Sequence, residues 1–305
     1  VDNYEIKNSA ILILRYDKKD LNVFLKTNFR GIKKYKKVEI TVKNLEDKKV
    51  REDLIYNLKS YIHDLWKEQN LIDIAAPYIP AIKFQIAFFE KFGWKGLKAL
   101  ETLCLKAKTK NLIVILDCKR GDIASSMKAY GQMAFDTFHA DALTVSPYLG
   151  VDVLSPLVPW LEKGCGVYSL CVTSNPAGFS LQMATNGRSP SVAEVFLRPL
   201  VDFIKQKQLP GSLGLVVGAT VLGDLPTELL ERWQQFPLLL PGLGAQGGTW
   251  NKSLIKLYNS QMPHLIPLSR SIAGLGMSLP TQISNFNDYE VWVKKKLKSA
   301  LQQYK

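Results

Sequence analysis

The sequence runs to 305 residues, 47% hydrophobic and 22% charged, the balance of a globular protein able to bury a sizeable core. No stretch approaches the roughly 20 continuous apolar residues of a membrane span, which excludes an integral helical membrane protein. The formal net charge of +13 gives a positive field that would steer an anionic substrate, such as one carrying phosphate and carboxylate.

The chain opens on Val1 rather than methionine, so residues upstream of it are expected, and its start has no signal-peptide pattern. Much of the positive charge lies in residues 26–51, with KKYKK at 33–37. A run of this kind can attract nucleic acid or an acidic membrane, but it serves equally as a solvated face, and we read it as one. Neither nucleic acid nor a membrane is expected as a partner. Residues 1–50 are therefore set apart as an atypical basic segment, with 10–16 (AILILRY) as a candidate first strand. Residues 51–305 form the second unit.

A helix is expected over 51–79. From there short apolar runs alternate with helical patterns. The runs are 81–85, 112–118, 142–146, 166–172, 213–218, 237–241 and 264–268. Between them amphipathic stretches cover 88–108, 124–139, 151–162, 192–208, 226–235 and 249–260. A last helix covers 288–304, with Asn287 as N-cap and Glu290 three positions on. Such alternation predicts a parallel sheet, and seven runs plus the one at 10–16 would close a (β/α)8 TIM barrel with an atypical first strand.

The four cysteines, Cys104, Cys118, Cys165 and Cys171, form no C-x-x-C pair and sit in apolar segments. That pattern reads as buried free thiols in a reducing, cytoplasmic compartment. His63, His139 and His264 are too scattered for a metal centre, and no metal is expected.

Chemistry concentrates at the end of the third run. In LDCKRGDI (116–123), Asp117, Lys119 and Asp122 place three charges within six positions, where a buried strand turns into a helix at Gly121. Strand alternation points Asp117 and Lys119 the same way. Buried charges require partners, so the arrangement is either a built site or a solvated loop that happens to be charged. Lys83, inside the apolar AIKFQIAFFE (81–90), is either a snorkelling lysine or a fourth member of one alternating network. TSNPAG (173–178) ends a strand in a polar turn whose Ser174 could bind a ligand, with 178–189 as a covering loop. Glycines at 241–248 (PGLGAQGG) and Arg270 in SRSI follow the last two strands, where barrels often hold phosphate.

Together, AIKFQIAFFE, LDCKRGDI, TSNPAG, VVGAT, PGLGAQGG and SRSI resemble orotidine 5′-phosphate decarboxylase, of the group carrying the TSNP and GAQGG motifs, over residues 51–275. The resemblance implies a barrel enzyme that converts orotidine 5′-phosphate to uridine 5′-phosphate without a cofactor, as a homodimer with shared active sites. By position it implies that Lys83, Asp117, Lys119 and Asp122 form the catalytic tetrad. Ser174 would bind the pyrimidine, and Gly244, Gln246, Gly247 and Arg270 would lie at the phosphate. Asp122, Ile123 and Ser126 would serve substrate binding, with Asp122 and Ile123 reaching the partner's site. Ser126 stands where the family usually has threonine. The family's first strand ends in a G-L-D-P-like sequence, whereas here RYD stands at 15–17, leaving Asp17 as the ribose candidate.

With no electron sink, the protein itself would stabilise the C6 carbanion, and the Lys119 ammonium is placed to do so and then donate a proton to C6. Two other readings stay open at this stage. One is a phosphosugar barrel that uses D-x-K-x-x-D with a divalent metal. The other is a binding protein built on a decayed enzyme, although all four charges are retained.

Overall fold

The computed structural model describes residues 9–14, 70–185, 190–209, 213–243, 262–269, 272 and 286–303. Eight parallel strands close on themselves in sequence order. They are β1 (Ser9–Leu14), β2 (Ala81–Gln85), β3 (Ile113–Arg120), β4 (Ala142–Val145), β5 (Gly166–Val172), β6 (Leu213–Val217), β7 (Leu238–Leu239) and β8 (Leu265–Leu268). The expected barrel is present, and its first strand lies where the apolar run at 10–16 placed it, shifted toward the N-terminus and ending at Leu14. Closure is made by β1, which pairs Ile11 with Ala81 of β2 and Ser9 with Leu265 of β8.

Among the described residues, apart from the helical turn at 70–75, the α-helices are α1 (Ala87–Glu90), α2 (Trp94–Thr109), α3 (Ala124–Gly131), α4 (Val158–Leu161), α5 (Pro176–Gln182), α6 (Val192–Gln206), α7 (Thr227–Trp233) and α8 (Phe286–Gln303). Among the described residues no helix is long and apolar enough to cross a membrane. The stretch expected as one helix over 88–108 is two, because the chain turns at Gly93, whose φ of 61° is open to glycine at little cost. The segment expected as a helix over 151–162 is mostly 3-10 turns at Pro147–Val153 and Ser155–Leu157, followed by the short α4. Pro156 and Pro159 remove the amide donors that a continuous helix would need. The helix over 124–139 gives way to a π-helical turn at Gln132–Thr137. The last helix begins at Phe286, so Asn287 lies inside it rather than capping it. Of the expected helix over 51–79 only the end is described, helical over 70–75. The stretch at 249–260 and the lysine run at 33–37 lie outside the described residues.

Strand alternation divides the interior in two. Outward residues such as Ile82, Phe84, Val114, Leu116, Leu143 and Val145 meet the helices, for example Leu100, Leu103 and Cys104 of α2, in the main core. Each such side chain, fully buried, contributes about 1.5–3 kcal/mol. Inward residues form a smaller apolar plug of Ala81, Ile115, Ala142, Val216, Leu239 and Leu265. Two residues further along β2, β3 and β4, the same inward face carries Lys83, Asp117 and Thr144, all buried. The plug is thus a dry floor, and the polar residues stand on it toward the carboxyl ends of the strands, where barrel sites are built.

Candidate active site

Asp117 is the centre of the site. Its side chain is only 10% exposed and accepts an ion pair on each oxygen. Lys83 Nζ bonds Oδ2, and Lys119 Nζ bonds Oδ1 at 2.5 Å. The Thr144 hydroxyl donates to the same Oδ1 at 3.1 Å. Burial pushes the Asp117 carboxyl up, but the neighbouring Lys83 and Lys119 ammoniums outweigh it and hold the group down at about 2. The two lysines differ sharply in environment: the Lys83 side chain is 3% exposed and that of Lys119 43%. One ammonium anchors the carboxylate from below, while the other stands at the mouth, free to meet a ligand.

The backbone departs from a strand to achieve this. Between Leu116 and Arg120, β3 advances four residues while β4 advances two, from Leu143 to Val145. The bulge puts Lys119 at φ 49°, a left-handed conformation that lysine rarely adopts. Simple alternation predicted that Asp117 and Lys119 share a direction. Their charged groups do meet, but through this bulge. Arg120 then leaves the barrel to pair with Glu90 of α1 and lies over the Tyr130 ring of α3 at 4.9 Å, tying the end of β3 to two helices.

Asp122 does not join the other three charges. It is half-buried, accepts the Ile123 amide on Oδ1 at 2.8 Å, and enters no ion pair among the described residues. Ile123 is 51% exposed at the start of α3, and Ser126 is exposed on that helix. Among the described residues, therefore, Asp117 is bridged by Lys83 and Lys119, and Asp122 stands apart from them beyond Gly121, half-buried.

At the end of β5, Thr173 fixes the next loop. Its amide donates to Gln182 Oε1 at 2.7 Å and its hydroxyl to Asn175 Oδ1 at 2.7 Å. Pro176 at the first helical position then starts α5, so a helix occupies the first part of the segment expected as a loop over 178–189. Residues 186–189 of that segment lie outside the described residues. Ser174 is held between these anchors. Its carbonyl accepts the Thr220 hydroxyl at 3.3 Å. Gly218 of VVGAT packs so closely that an added Cβ would sit 2.7 Å from the Ser174 amide nitrogen. That glycine brings the Ser174 backbone against the end of β6.

Asp17, Gly244, Gln246, Gly247 and Arg270 lie outside the described residues. The four cysteines are free thiols, and burial pushes Cys118 up to about 12, leaving it unreactive. Sequence reasoning missed Thr144, Arg120, Glu90 and Gln182. Glu90 and Arg120 stood in the motifs AIKFQIAFFE and LDCKRGDI, and Gln182 in the loop expected over 178–189, but none was given a role. A threonine in ALTV looks like any strand residue.

Residues 62–273 match the sequence profile of the "Orotidine 5'-phosphate decarboxylase / HUMPS family". The orotidine 5′-phosphate decarboxylase of Salinispora arenicola is 36% identical over 227 residues, 72% of this chain and 80% of that protein. That of Streptomyces coelicolor is 39% identical over 209 residues, covering 67% of this chain and 74% of its own length. Among solved structures, the Leishmania donovani OMP decarboxylase superposes with a TM-score of 0.60 at 28% identity, over 80% of this chain and 88% of that one. With the charged line seated on the floor of a closed barrel and these matches spanning most of its length, the chain belongs to the orotidine 5′-phosphate decarboxylase / HUMPS family and is a lyase of that family.

Proposed function

We propose that the Lys83–Asp117–Lys119 line carries the conversion of orotidine 5′-phosphate to uridine 5′-phosphate, with Lys119 as the proton donor. The observation that carries this reading is the asymmetry of the two lysines on one buried carboxylate. Lys83 is sealed in, and Lys119 is exposed at the mouth. The substrate's C6 carboxylate would stand above Asp117 and Lys119. When the C6–C bond breaks, CO2 leaves and the electron pair stays on C6. The Lys119 ammonium, fixed by Asp117, stabilises that pair and transfers a proton from Nζ to C6. Solvent then reprotonates the amine. Charge that develops beside a preorganised ammonium, away from bulk water, is stabilised more than the ground state. Repulsion between Asp117 and the substrate carboxylate is relieved in the same step.

Ser174 would bind the pyrimidine, and Gly244, Gln246, Gly247 and Arg270 would hold the phosphate. Asp17 is the ribose candidate. Asp122 and Ile123 would complete the site of a second copy, with Ser126 beside them. The exposure of Ile123 and Ser126, and the exposed Tyr148 and Leu149 after β4, support a homodimer with shared sites. No cofactor is needed for these steps. Residues 1–50 read as a basic segment supplying β1 and 51–305 as the decarboxylase barrel, which the pairing of β1 with both β2 and β8 supports. The four free thiols support a cytoplasmic setting.

The test is the loss of orotidine 5′-phosphate absorbance with purified full-length chain, with and without EDTA. Turnover that survives EDTA supports the reading. No turnover would favour a binding protein built on a decayed enzyme, and turnover abolished by EDTA and restored by a divalent metal would place metal-dependent chemistry at the site.

A further inference from the structure

We propose that Thr144 is a positioning residue for the decarboxylation, setting through a single hydroxyl both the Asp117 carboxylate and the backbone that carries Lys119. The proposal rests on the decarboxylase reading. A threonine hydroxyl has one proton to give and two lone pairs to offer. Here all three are used on the two charged residues and the link between them. The proton goes to Asp117 Oδ1 at 3.1 Å, and the lone pairs accept the Cys118 amide at 3.0 Å and the Lys119 amide at 2.8 Å. Thr144 is fully buried, so no water can stand in for these contacts without a rearrangement.

The bulge explains why a hydroxyl is required. In a regular ladder, the amides of β3 would find carbonyls on β4. Two extra residues in β3 between Leu116 and Arg120 take the Cys118 and Lys119 amides out of that ladder, and regular pairing resumes only at Arg120 with Val145. Thr144 is the β4 residue opposite the interruption, and its side chain does the work of the missing carbonyl. Without it, the left-handed turn at Lys119 (φ 49°) loses the acceptor for its own amide. Asp117 Oδ1 keeps Lys119 Nζ but loses the second donor that orients the carboxylate plane. Both errors move the ammonium relative to the floor of the site, and a displacement below an ångström at the reacting atom is enough to slow a reaction.

The test compares Thr144→Val, which keeps shape and β-branching, with Thr144→Ser, which keeps the hydroxyl. Sites are counted by calorimetric titration with uridine 5′-monophosphate, and orotidine 5′-phosphate turnover is expressed per titrated site. A purely structural role would lower the number of sites and leave turnover per site unchanged. We expect Thr144→Val to lose about ten- to a hundredfold in kcat per site, the loss for one hydrogen bond to a charged group, with nucleotide affinity within about threefold. Thr144→Ser should stay within about fivefold of wild type. If Thr144→Val turns over within about threefold of wild type per site, or Thr144→Ser is as impaired as Thr144→Val, the proposal fails. Should Thr144→Val not fold, Thr144→Ser alone decides: near-normal kcat per site supports the role, and a tenfold loss overturns it. A wild-type chain that never turns over the substrate would overturn the decarboxylase reading itself, and the positioning role with it.

Discussion

Replacing Asp117 with asparagine removes the charge that both lysines face while keeping the volume. At an effective dielectric near 20, a contact pair gains about 4 kcal/mol at 4 Å, whereas taking each ion out of water costs several kcal/mol. The intact pair is therefore close to neutral in its net effect, but the variant keeps the cost and loses the gain. Lys119, 43% exposed, can turn to solvent, whereas Lys83 at 3% exposure stays buried and loses the Asp117 carboxylate. Breaking one side of a buried pair costs about 3–5 kcal/mol, which for a chain of this size lowers Tm by roughly 5–8 °C.

The dependence on pH gives an independent check. The folded Asp117 carboxyl lies at about 2 against an ordinary 3.8, so its contribution is fully present above the ordinary value and is lost as pH falls toward 2. That shift corresponds to about 2 kcal/mol, smaller than the substitution penalty because it omits the burden left on Lys83. Urea unfolding of wild type and Asp117→Asn from pH 7 to pH 2 should show a gap that narrows at the acid end. The double variant Lys83→Met, Asp117→Asn should recover much of the neutral-pH loss. A gap below about 1 kcal/mol at pH 7, or one that does not narrow, would refute the buried-pair account.

Three further outcomes follow from other parts of the site. Gly218→Ala must push the Ser174 backbone away from a Cβ that would sit 2.7 Å from its amide nitrogen. It should cost about 1–3 kcal/mol in thermal unfolding and raise KM more than it lowers kcat. Arg270→Ala should weaken uridine 5′-monophosphate far more than uridine, read by calorimetry, because a guanidinium–phosphate contact exists only with the first. Lys119→Ala and Asp122→Ala, each inactive alone, should regain about a quarter of wild-type activity when co-expressed, since half the dimers are mixed and each mixed dimer has one intact site. Verified heterodimers without activity would place Asp122 in its own chain's site.

The parts of the molecule that were legible in the sequence are those set by local pattern. The apolar run at 166–172 and the strand Gly166–Val172 coincide, as do 81–85 and Ala81–Gln85, because period and length suffice to mark a buried strand. Lys83, Asp117 and Lys119 were found because charge in an apolar strand needs an explanation. Thr144 was not, since its role is created by a two-residue bulge in a neighbouring strand that no pattern in ALTV announces. The helix errors have the same origin. At Gly93 and in the proline-bearing stretch before α4, amphipathic spacing continued through positions where backbone geometry broke the helix. Within one chain Asp122 stays apart from the three charges it stands near in sequence, as a residue expected to serve a partner's site would.

The central claim is that Lys119 delivers the proton to C6, and the most direct measurement is turnover of orotidine 5′-phosphate by Lys119→Ala per site titrated with uridine 5′-monophosphate. An interaction made only in the transition state affects turnover and spares product binding, so the account predicts unchanged site number and activity below about a tenth of wild type. Activity above that level, a loss under about 1.4 kcal/mol, would show that another group donates the proton.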